Sequence, residues 1–302
     1  MKLNSIGEFG LIEKIARSIK TYRSVVRGIG DDAAVMKWTK DKHLLATVDM
    51  LIEGRHFKRS ARPEAIGWKA LCCGISDIAA MGGKPKWALV SCGFPKDLTV
   101  KYVDGIYSGL KQAANKFGVN IVGGDTNASD KIILDVIVLG EAKTQDLVLR
   151  SGARAGDYIF VTGSLGGSIQ GKHLNFIPRV RESQILVKNF KVSSMIDLSD
   201  GLSSDLNHIL KQSGTGAVIY EGLIPKSRYA KTIEEAISGG EDFELLFTMP
   251  KKEAFRLLDV KEKLFNVPVT RIGAITEKRF GARIVDIFGN SRELIPRGFR
   301  HF

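Results

Sequence analysis

Hydrophobic residues in this chain of 302 residues alternate between helical and strand spacing along its whole length. Such alternation predicts an α/β fold (in the wider sense, α+β), in which helices cover sheets. A helix is expected after the capping-box pattern Ser5–Glu8, which is followed by apolar residues at helical spacing. Further helices are predicted over 63–81, 100–117, 202–210 and 251–264, and strands over 33–38, 44–50, 119–122, 132–139, 158–162, 195–198, 217–220 and 245–249.

The length and the distribution of turn residues predict two domains. A polar run begins at Lys143 and leads into the turn-rich segment Ser151–Asp157. We therefore expect one domain over residues 1–148 and a second over residues 149–302. Hydrophobic residues make up 44% of the chain and charged residues 26%, which is ordinary for globular proteins and excludes a disordered or fibrous class.

The net charge of +12 raises the question of nucleic-acid binding. Residues 1–150 carry 23 basic and 16 acidic side chains, and the remaining residues carry 22 and 17. The excess is thus diffuse, without a basic block or tail. A diffuse positive field favours anions in general, nucleotides and phosphates included. We therefore expect no nucleic-acid partner, although a basic nucleic-acid-binding module stays a minor alternative.

Targeting and cysteine patterns favour a cytoplasmic location. The first 14 residues lack the apolar core of a signal peptide. The longest apolar stretch, Ile132–Leu139, is interrupted by Asp135 and is too short to cross a bilayer, so we expect no membrane partner. The three cysteines, Cys72, Cys73 and Cys92, are too few for a disulfide framework and lack zinc spacing.

Aspartates and glutamates beside glycines or within apolar runs are the most informative residues for function. Each one alone is explained better by structure than by function, since Asp is a common turn and N-cap residue. Asp77 is harder to explain that way, because it interrupts the apolar segment Ile75–Met81. Together, hard oxygen ligands at several strand ends predict Mg²⁺ with a bound phosphate, and hence phosphoryl transfer or ATP hydrolysis. The set is Asp31, Asp32, Asp49, Asp77, Asp125, Asp197, Asp200, Glu241 and Asp242.

Two better-known phosphate motifs do not apply. The segment Gly166–His173 nearly matches the phosphate-loop pattern, but His173 stands where the metal-binding Ser or Thr is needed. Gly28-Ile29-Gly30 lacks the third glycine of a dinucleotide fingerprint.

The motifs, in their order along the chain, resemble those of thiamine-monophosphate kinases. They cover nearly the whole sequence, and the combination is specific, whereas each element alone is typical of a wider superfamily. In the first half they are Gly7-Glu8-Phe9, Gly30-Asp31-Asp32-Ala33, Glu53-Gly54-x-His56-Phe57, Ser76-Asp77-Ile78-Ala79 and Gly123-Gly124-Asp125-Thr126. In the second half they are Arg150-Ser151-Gly152, Asp197-x-Ser199-Asp200-Gly201 and Gly240-Glu241-Asp242-Phe243-Glu244.

The resemblance implies ATP-dependent phosphorylation of thiamine monophosphate to thiamine diphosphate, with Mg²⁺, by direct in-line transfer. It also implies a homodimer in which the sheets of the N-terminal domains pair into a barrel, with the C-terminal domain completing the nucleotide and substrate site. Asp125 and Asp200 are the implied catalytic residues, and Gly124, Asp125, Arg150 and Ser199 are the implied ATP contacts. His56, Glu241 and Phe299 are the implied thiamine contacts. The implied metal ligands are Asp32, Thr47, Asp49, Asp77, Asp125, Asp197 and Asp200.

Some positions depart from the family pattern. Val48 replaces a usual hydroxyl residue, Gly74 a usual Asn and Asn127 a usual Thr, and the segment 167–178 is shorter than expected. The alternative function is that of another ATP-dependent enzyme of the superfamily, such as aminoimidazole ribonucleotide synthetase. Selenophosphate synthetase and the hydrogenase maturation enzyme fit less well, because the cysteines they would need at the N-terminal and C-terminal ends are missing from this sequence.

Overall fold

The computed structural model describes residues 3–299, which form two sheets flanked by helices. The helices are α1 (Leu3–Ser18), α2 (Pro63–Ala80), α3 (Val100–Phe117), α4 (Val180–Asn189), α5 (Leu202–Ser213), α6 (Ile233–Ser238) and α7 (Lys251–Leu264). The strands are β1 (Val25–Arg27), β2 (Ala34–Lys37), β3 (Lys42–Ile52), β4 (Lys84–Phe94), β5 (Asn120–Ala128), β6 (Ile133–Lys143), β7 (Tyr158–Thr162), β8 (Ser194–Asp197), β9 (Thr215–Tyr220), β10 (Leu245–Met249), β11 (Val269–Glu277), β12 (Ala282–Val285) and β13 (Ser291–Glu293).

The first sheet has the strand order β1-β2-β3-β6-β4-β5, with only β4 and β5 parallel among the neighbouring pairs. Helices α2 and α3 cover one face, and the core there includes Leu45, Ile75 and Val136. The two helices approach closely because Gly109 faces the backbone of Glu64, where an added Cβ would lie 1.8 Å from the carbonyl oxygen. The opposite face of the sheet carries exposed apolar side chains such as Val48 and Met50.

The second sheet has the order β13-β12-β9-β11-β7-β10-β8. One cluster of buried apolar residues lies around Leu202 and Leu206 of α5, and another around Leu257 of α7. The strand β8 is fully buried and ends at Asp197. The chain then enters α5 through Ser199 and Asp200, so this sheet places acidic residues next to α2 of the first half.

The α/β prediction is confirmed, and the predicted segments correspond to elements of the structure. The strands at 158–162 and 245–249 and the helix at 251–264 have the predicted ends. The predicted capping box at Ser5–Glu8 lies inside α1, which is kinked at Gly7. Helices α4 and α6 and strands β1, β4, β11, β12 and β13 were not predicted, although β4 and β11 are interior to their sheets. Within residues 3–299 no helix is long and apolar enough to span a membrane.

Candidate functional site

Three carboxylates, of which Asp32 and Asp197 are buried and Asp77 is partly buried, converge between the two sheets. Asp32 lies just before β2, Asp77 near the C-terminal end of α2, and Asp197 at the end of β8. One oxygen from each lies within 4.8 Å of the others, a grouping that can hold a metal ion. Asp32 and Asp197 are 8% and 2% exposed. Three sequence positions spread over more than half the chain therefore meet at one point.

Thr47 and Asp49 of β3 extend this cluster. The Thr47 hydroxyl donates to Asp77 Oδ2 over 2.5 Å. Two buried oxygens, Asp32 Oδ2 and Asp49 Oδ2, have no hydrogen-bond partner among the described residues. Unpaired buried carboxylate oxygens are costly without a cation. The donor set thus fits a hard divalent cation such as Mg²⁺.

Burial and mutual repulsion raise the pKa values of these carboxyl groups. Burial raises the pKa of Asp49 to about 6 and that of Asp197 to about 8, and the charge of Asp32 contributes to both. The pKa of Asp77 is raised well above its ordinary value by burial and by the neighbouring charge of Asp49. Protons therefore occupy part of this cluster near neutral pH, and a bound cation would displace them.

Arg150 forms an ion pair with one member of the cluster. Its Nη2 donates to Asp32 Oδ1 over 2.7 Å, and its backbone N–H donates to Asp31 Oδ1 over 2.9 Å. Asp31 also accepts from Arg27 Nε over 3.1 Å. Arg150 thus neutralises only one side of the cluster. Asp32, Asp49, Asp77 and Arg150 line an open cleft of about 620 Å³, to which the Gly28–Gly30 backbone also contributes.

Asp200 lies in a second acidic group. Oxygen or nitrogen atoms of Asp200, Asp205 and His208 lie within 4.8 Å of one another. Asp205 Oδ2 accepts from the backbone N–H groups of Asp200 and Gly201, so it holds the turn that leads into α5. The structure does not place Asp200 in the Asp32–Asp77–Asp197 group, although Ser199 and Asp197 connect the two along the chain.

The three predicted thiamine contacts lie near one another. The rings of His56 and Phe299 are 6.2 Å apart, and Lys69 Nζ donates both to Glu241 Oε1 over 2.5 Å and to the His56 carbonyl over 2.9 Å. His56 Nδ1 accepts from the backbone N–H of Ile52, which leaves its Nε2 as the protonated nitrogen. The Arg55 guanidinium lies 4.7 Å from the Phe299 ring centroid, so this ring already accepts a cation.

This acceptor region adjoins the loop after β8. The Phe299 backbone N–H donates to the Asp200 carbonyl, and the Glu241 N–H donates to the Ser199 carbonyl over 2.7 Å. Glu241 has a left-handed φ of 63°, an uncommon conformation for a residue with a side chain. The backbone at Glu241 is therefore fixed against the same loop that carries Asp197, Ser199 and Asp200.

Gly124 and Asp125 lie apart from the cluster within one chain. They belong to the edge strand β5, three strands away from β3, which corresponds to about 14 Å at ordinary strand spacing. Asp125 is exposed, and its oxygens accept from the Thr126 N–H and from Asn127 Nδ2. A single chain therefore does not bring Asp125 to the predicted metal ligands.

The structure shows the surroundings of three places where the sequence departs from the family pattern. Val48 is 58% exposed, and although it alternates with Thr47 and Asp49 along β3, it lines the same cleft as the carboxylates. Gly74 lies where an added Cβ would be 2.6 Å from a Val138 methyl carbon, so this chain leaves no space for Asn there. The shortened segment contains two short 3-10 helices, Ser168–Gln170 and Lys172–Leu174.

Sequence reasoning missed Lys69 and Ser76. Ser76 Oγ donates to Asp197 Oδ2 over 2.5 Å, and Lys69 connects Glu241 to His56. A lysine in the apolar stretch Ile66–Leu71 is as anomalous as Asp77, and that signal was available in the sequence.

Comparison with known proteins gives consistent matches along the chain. Residues 30–142 match the family model "AIR synthase related protein, N-terminal domain", and residues 167–286 match "AIR synthase related protein, C-terminal domain". The chain is 36% identical to the thiamine-monophosphate kinase of Aquifex aeolicus, with 100% of each protein covered. It is 35% identical to that of Bacillus subtilis, with 98% of this chain and 99% of the relative covered.

Solved structures agree with these sequence matches. The structure of AaThiL complexed with AMPPCP and TMP superposes with a TM-score of 0.86 at 35% identity, covering 100% of this chain and 99% of that one. The crystal structure of thiamine monophosphate kinase from Aquifex aeolicus gives a TM-score of 0.77 at 33% identity, and the match covers 97% of this chain and 100% of that one.

Proposed function

This chain belongs to the thiamine-monophosphate kinase family of AIR synthase related proteins, and on that premise we propose that it phosphorylates thiamine monophosphate with ATP, giving thiamine diphosphate and ADP. The observation that carries the proposal is the convergence of Asp32, Asp77 and Asp197 between the two halves of the chain. Support also comes from the full-length match to a structure whose bound molecules are AMPPCP and TMP.

Divalent metal would be held by the carboxylates and by Thr47. Mg²⁺ bound there would neutralise phosphate charge during transfer. The proposed ligands are Asp32, Thr47, Asp49, Asp77, Asp125, Asp197 and Asp200. Within one chain the support is stronger for five of these residues than for Asp125 and Asp200, because the five line or adjoin the same cleft. The five are Asp32, Thr47, Asp49, Asp77 and Asp197.

The side chains around this cleft bind and orient the two substrates. Arg150, which is hydrogen-bonded to Asp32, places a positive charge beside the carboxylates and would offset the negative charge of the nucleotide phosphates. Ser199 and Gly124 are the other proposed ATP contacts. In-line transfer needs the acceptor phosphate to approach from the opposite side, where Asp200 and the Phe299 backbone meet.

Thiamine recognition is assigned to Glu241, His56 and Phe299. A carboxylate balances the positive charge of the thiazolium ring, and an aromatic face attracts it. Glu241 Oε2 is buried without a hydrogen-bond partner among the described residues. His56 Nε2 is the ring nitrogen that carries the proton, because its Nδ1 accepts from Ile52.

We also propose a homodimer formed by the first sheet. Its exposed face carries Val26, Val48, Met50 and Val122, which are 48–58% exposed. Burying such a face in a barrel of two sheets would remove the edges and the apolar surface from water. It would also provide a route for Asp125 of one chain to approach the carboxylates of another.

We further propose that the two domains divide near residue 148 and that the protein is located in the cytoplasm.

The experiment is to incubate the purified protein with ATP, Mg²⁺ and thiamine monophosphate and to measure thiamine diphosphate and ADP by chromatography. We expect equal amounts of the two products, and no product when EDTA is added. Formation of ADP that does not depend on thiamine monophosphate would contradict the proposal and favour another member of the superfamily.

A further inference from the structure

Lys69 is a buried lysine that none of the roles above uses. It lies on α2 with a side chain that is 1% exposed, and it is among the largest fully buried side chains of the described residues. An ammonium group removed from water is strongly destabilising unless it is paired and hydrogen-bonded. Lys69 is paired with Glu241 Oε1 at 2.5 Å and also donates to the His56 carbonyl at 2.9 Å.

Both partners of Lys69 belong to the proposed thiamine site. Glu241 comes from the segment before β10 and His56 from the turn after β3, so the two are 185 residues apart in sequence. The Glu241 backbone is already fixed, since its N–H donates to the Ser199 carbonyl and its own carbonyl accepts from Ser168 Oγ over 2.7 Å. The ion pair with Lys69 then fixes the side chain as well, engaging Oε1 and leaving Oε2 without a partner among the described residues.

The position of Lys69 on α2 relates the thiamine site to the metal cluster. Lys69, Cys73 and Ser76 are spaced i, i+4 and i+7, so they share one helix face. Ser76 contacts Asp197, and the next residue is Asp77 of the cluster. Eight residues of helix correspond to about 12 Å. One rigid element thus sets the separation between the carboxylate for the thiamine ring and the carboxylates for the phosphates.

We infer that Lys69 is a positioning residue for the acceptor: its ion pair with Glu241 holds that carboxylate, and its bond to the His56 carbonyl holds the adjoining turn, in the arrangement that binds the cationic ring of thiamine monophosphate. The inference rests on the proposed function. In this role Lys69 acts through Glu241 and the His56 carbonyl and not through the phosphates. Its loss therefore affects acceptor binding and leaves ATP binding intact.

A purely structural role for Lys69 predicts a different pattern. If the lysine only filled the space between the two halves of the chain, its replacement would lower stability and the amount of active enzyme. The KM values for both substrates would then be unchanged in the folded fraction. The two roles are therefore separated by comparing KM for thiamine monophosphate with KM for ATP.

The test uses Lys69→Met, which keeps the length of the side chain and removes its charge, with Glu241→Gln and the double variant. We expect Lys69→Met to raise KM for thiamine monophosphate by about 10- to 100-fold, the usual effect of losing a charge-assisted hydrogen bond, with KM for ATP unchanged. Because Lys69 acts through Glu241, adding Lys69→Met to Glu241→Gln should raise that KM by no more than about twofold further. Lys116→Met, which removes an exposed lysine near Trp68, is the matched control and should behave as wild type.

The outcomes separate this inference from the proposed function. If the wild-type protein does not phosphorylate thiamine monophosphate, the proposed function is wrong. If the wild type is active and folded Lys69→Met keeps its KM for thiamine monophosphate, or raises both KM values equally, the positioning role is wrong. Should Lys69→Met alone fail to fold, the double variant is compared with Glu241→Gln, and a full additional increase in that KM would overturn the inference.

Discussion

Replacing Asp197 by Asn should stabilise the metal-free protein at alkaline pH. Asp197 is 2% exposed, and burial together with the charge of Asp32 raises its pKa from 3.8 to about 8. The folded protein therefore retains a proton on this group at pH values where the unfolded chain has lost it. The contribution of Asp197 to the folding stability of the metal-free protein therefore falls as the pH rises from about 4 to about 8, and it levels off above pH 8.

The size of the effect follows from the change in pKa. A rise from 3.8 to about 8 corresponds to roughly 6 kcal/mol at about 1.4 kcal/mol per pKa unit. Asn keeps the shape of the side chain, and its carbonyl oxygen can still accept from Ser76 Oγ. We therefore expect the free energy of unfolding of Asp197→Asn in EDTA to exceed that of wild type by about 3–6 kcal/mol at pH 8 and to match it near pH 4.

Urea unfolding followed by tryptophan fluorescence, with EDTA and then with excess Mg²⁺, measures this difference. Mg²⁺ should stabilise the wild type and have less effect on Asp197→Asn, because the variant has lost a ligand. A variant that is less stable than wild type in EDTA at pH 8, or a difference that does not change with pH, would show that burial and the neighbouring carboxylates do not disfavour the charged form of Asp197 as the structure indicates.

Three further substitutions test other parts of the account. Asp125→Asn should abolish ADP formation while leaving the circular dichroism spectrum unchanged; normal turnover would remove Asp125 from the mechanism. Glu241→Ala should weaken binding of thiamine monophosphate more than binding of ATP, measured by calorimetry, and the reverse order would reject its proposed role. Gly109→Ala should lower the free energy of unfolding by about 3 kcal/mol, because its Cβ would lie 1.8 Å from the Glu64 carbonyl oxygen. Gly222→Ala, whose nearest contact would be 3.5 Å, is the control, and equal stability losses would contradict the close helix packing.

Hydrophobic spacing predicted most of the helices and strands but not all of them. The fully buried helical face around Ile75 and the strands β7 and β10 have strong local patterns, and these were located well. Strand β4 begins with Lys-Pro-Lys and contains Gly93, so its sequence lacks an alternating pattern although pairing with β6 and β5 makes it a strand. Tertiary pairing that involves distant residues is not visible in a local window.

The candidate site was predictable in composition but not in geometry. Aspartates in apolar surroundings are costly, so Asp32, Asp77 and Asp197 could be singled out as members of a set, although each one alone had a structural explanation. The sequence could not show that Asp200 faces Asp205 and His208, because this depends on the conformation of the turn that leads into α5. Nor could it show that Asp125 lies on an edge strand three strands from β3, because this depends on strand order. A lysine among apolar residues is visible in the sequence at Lys69, but its ion pair could not be predicted because the partner, Glu241, comes 172 residues later.

A crystal structure with Mn²⁺ and a non-hydrolysable ATP analogue would test directly whether the converging aspartates hold metal next to the nucleotide. We expect anomalous density within about 2.5 Å of oxygens from Asp32, Asp77 and Asp197 and in contact with the phosphates. Manganese and phosphates found elsewhere on the protein, with these three side chains free of metal, would contradict it.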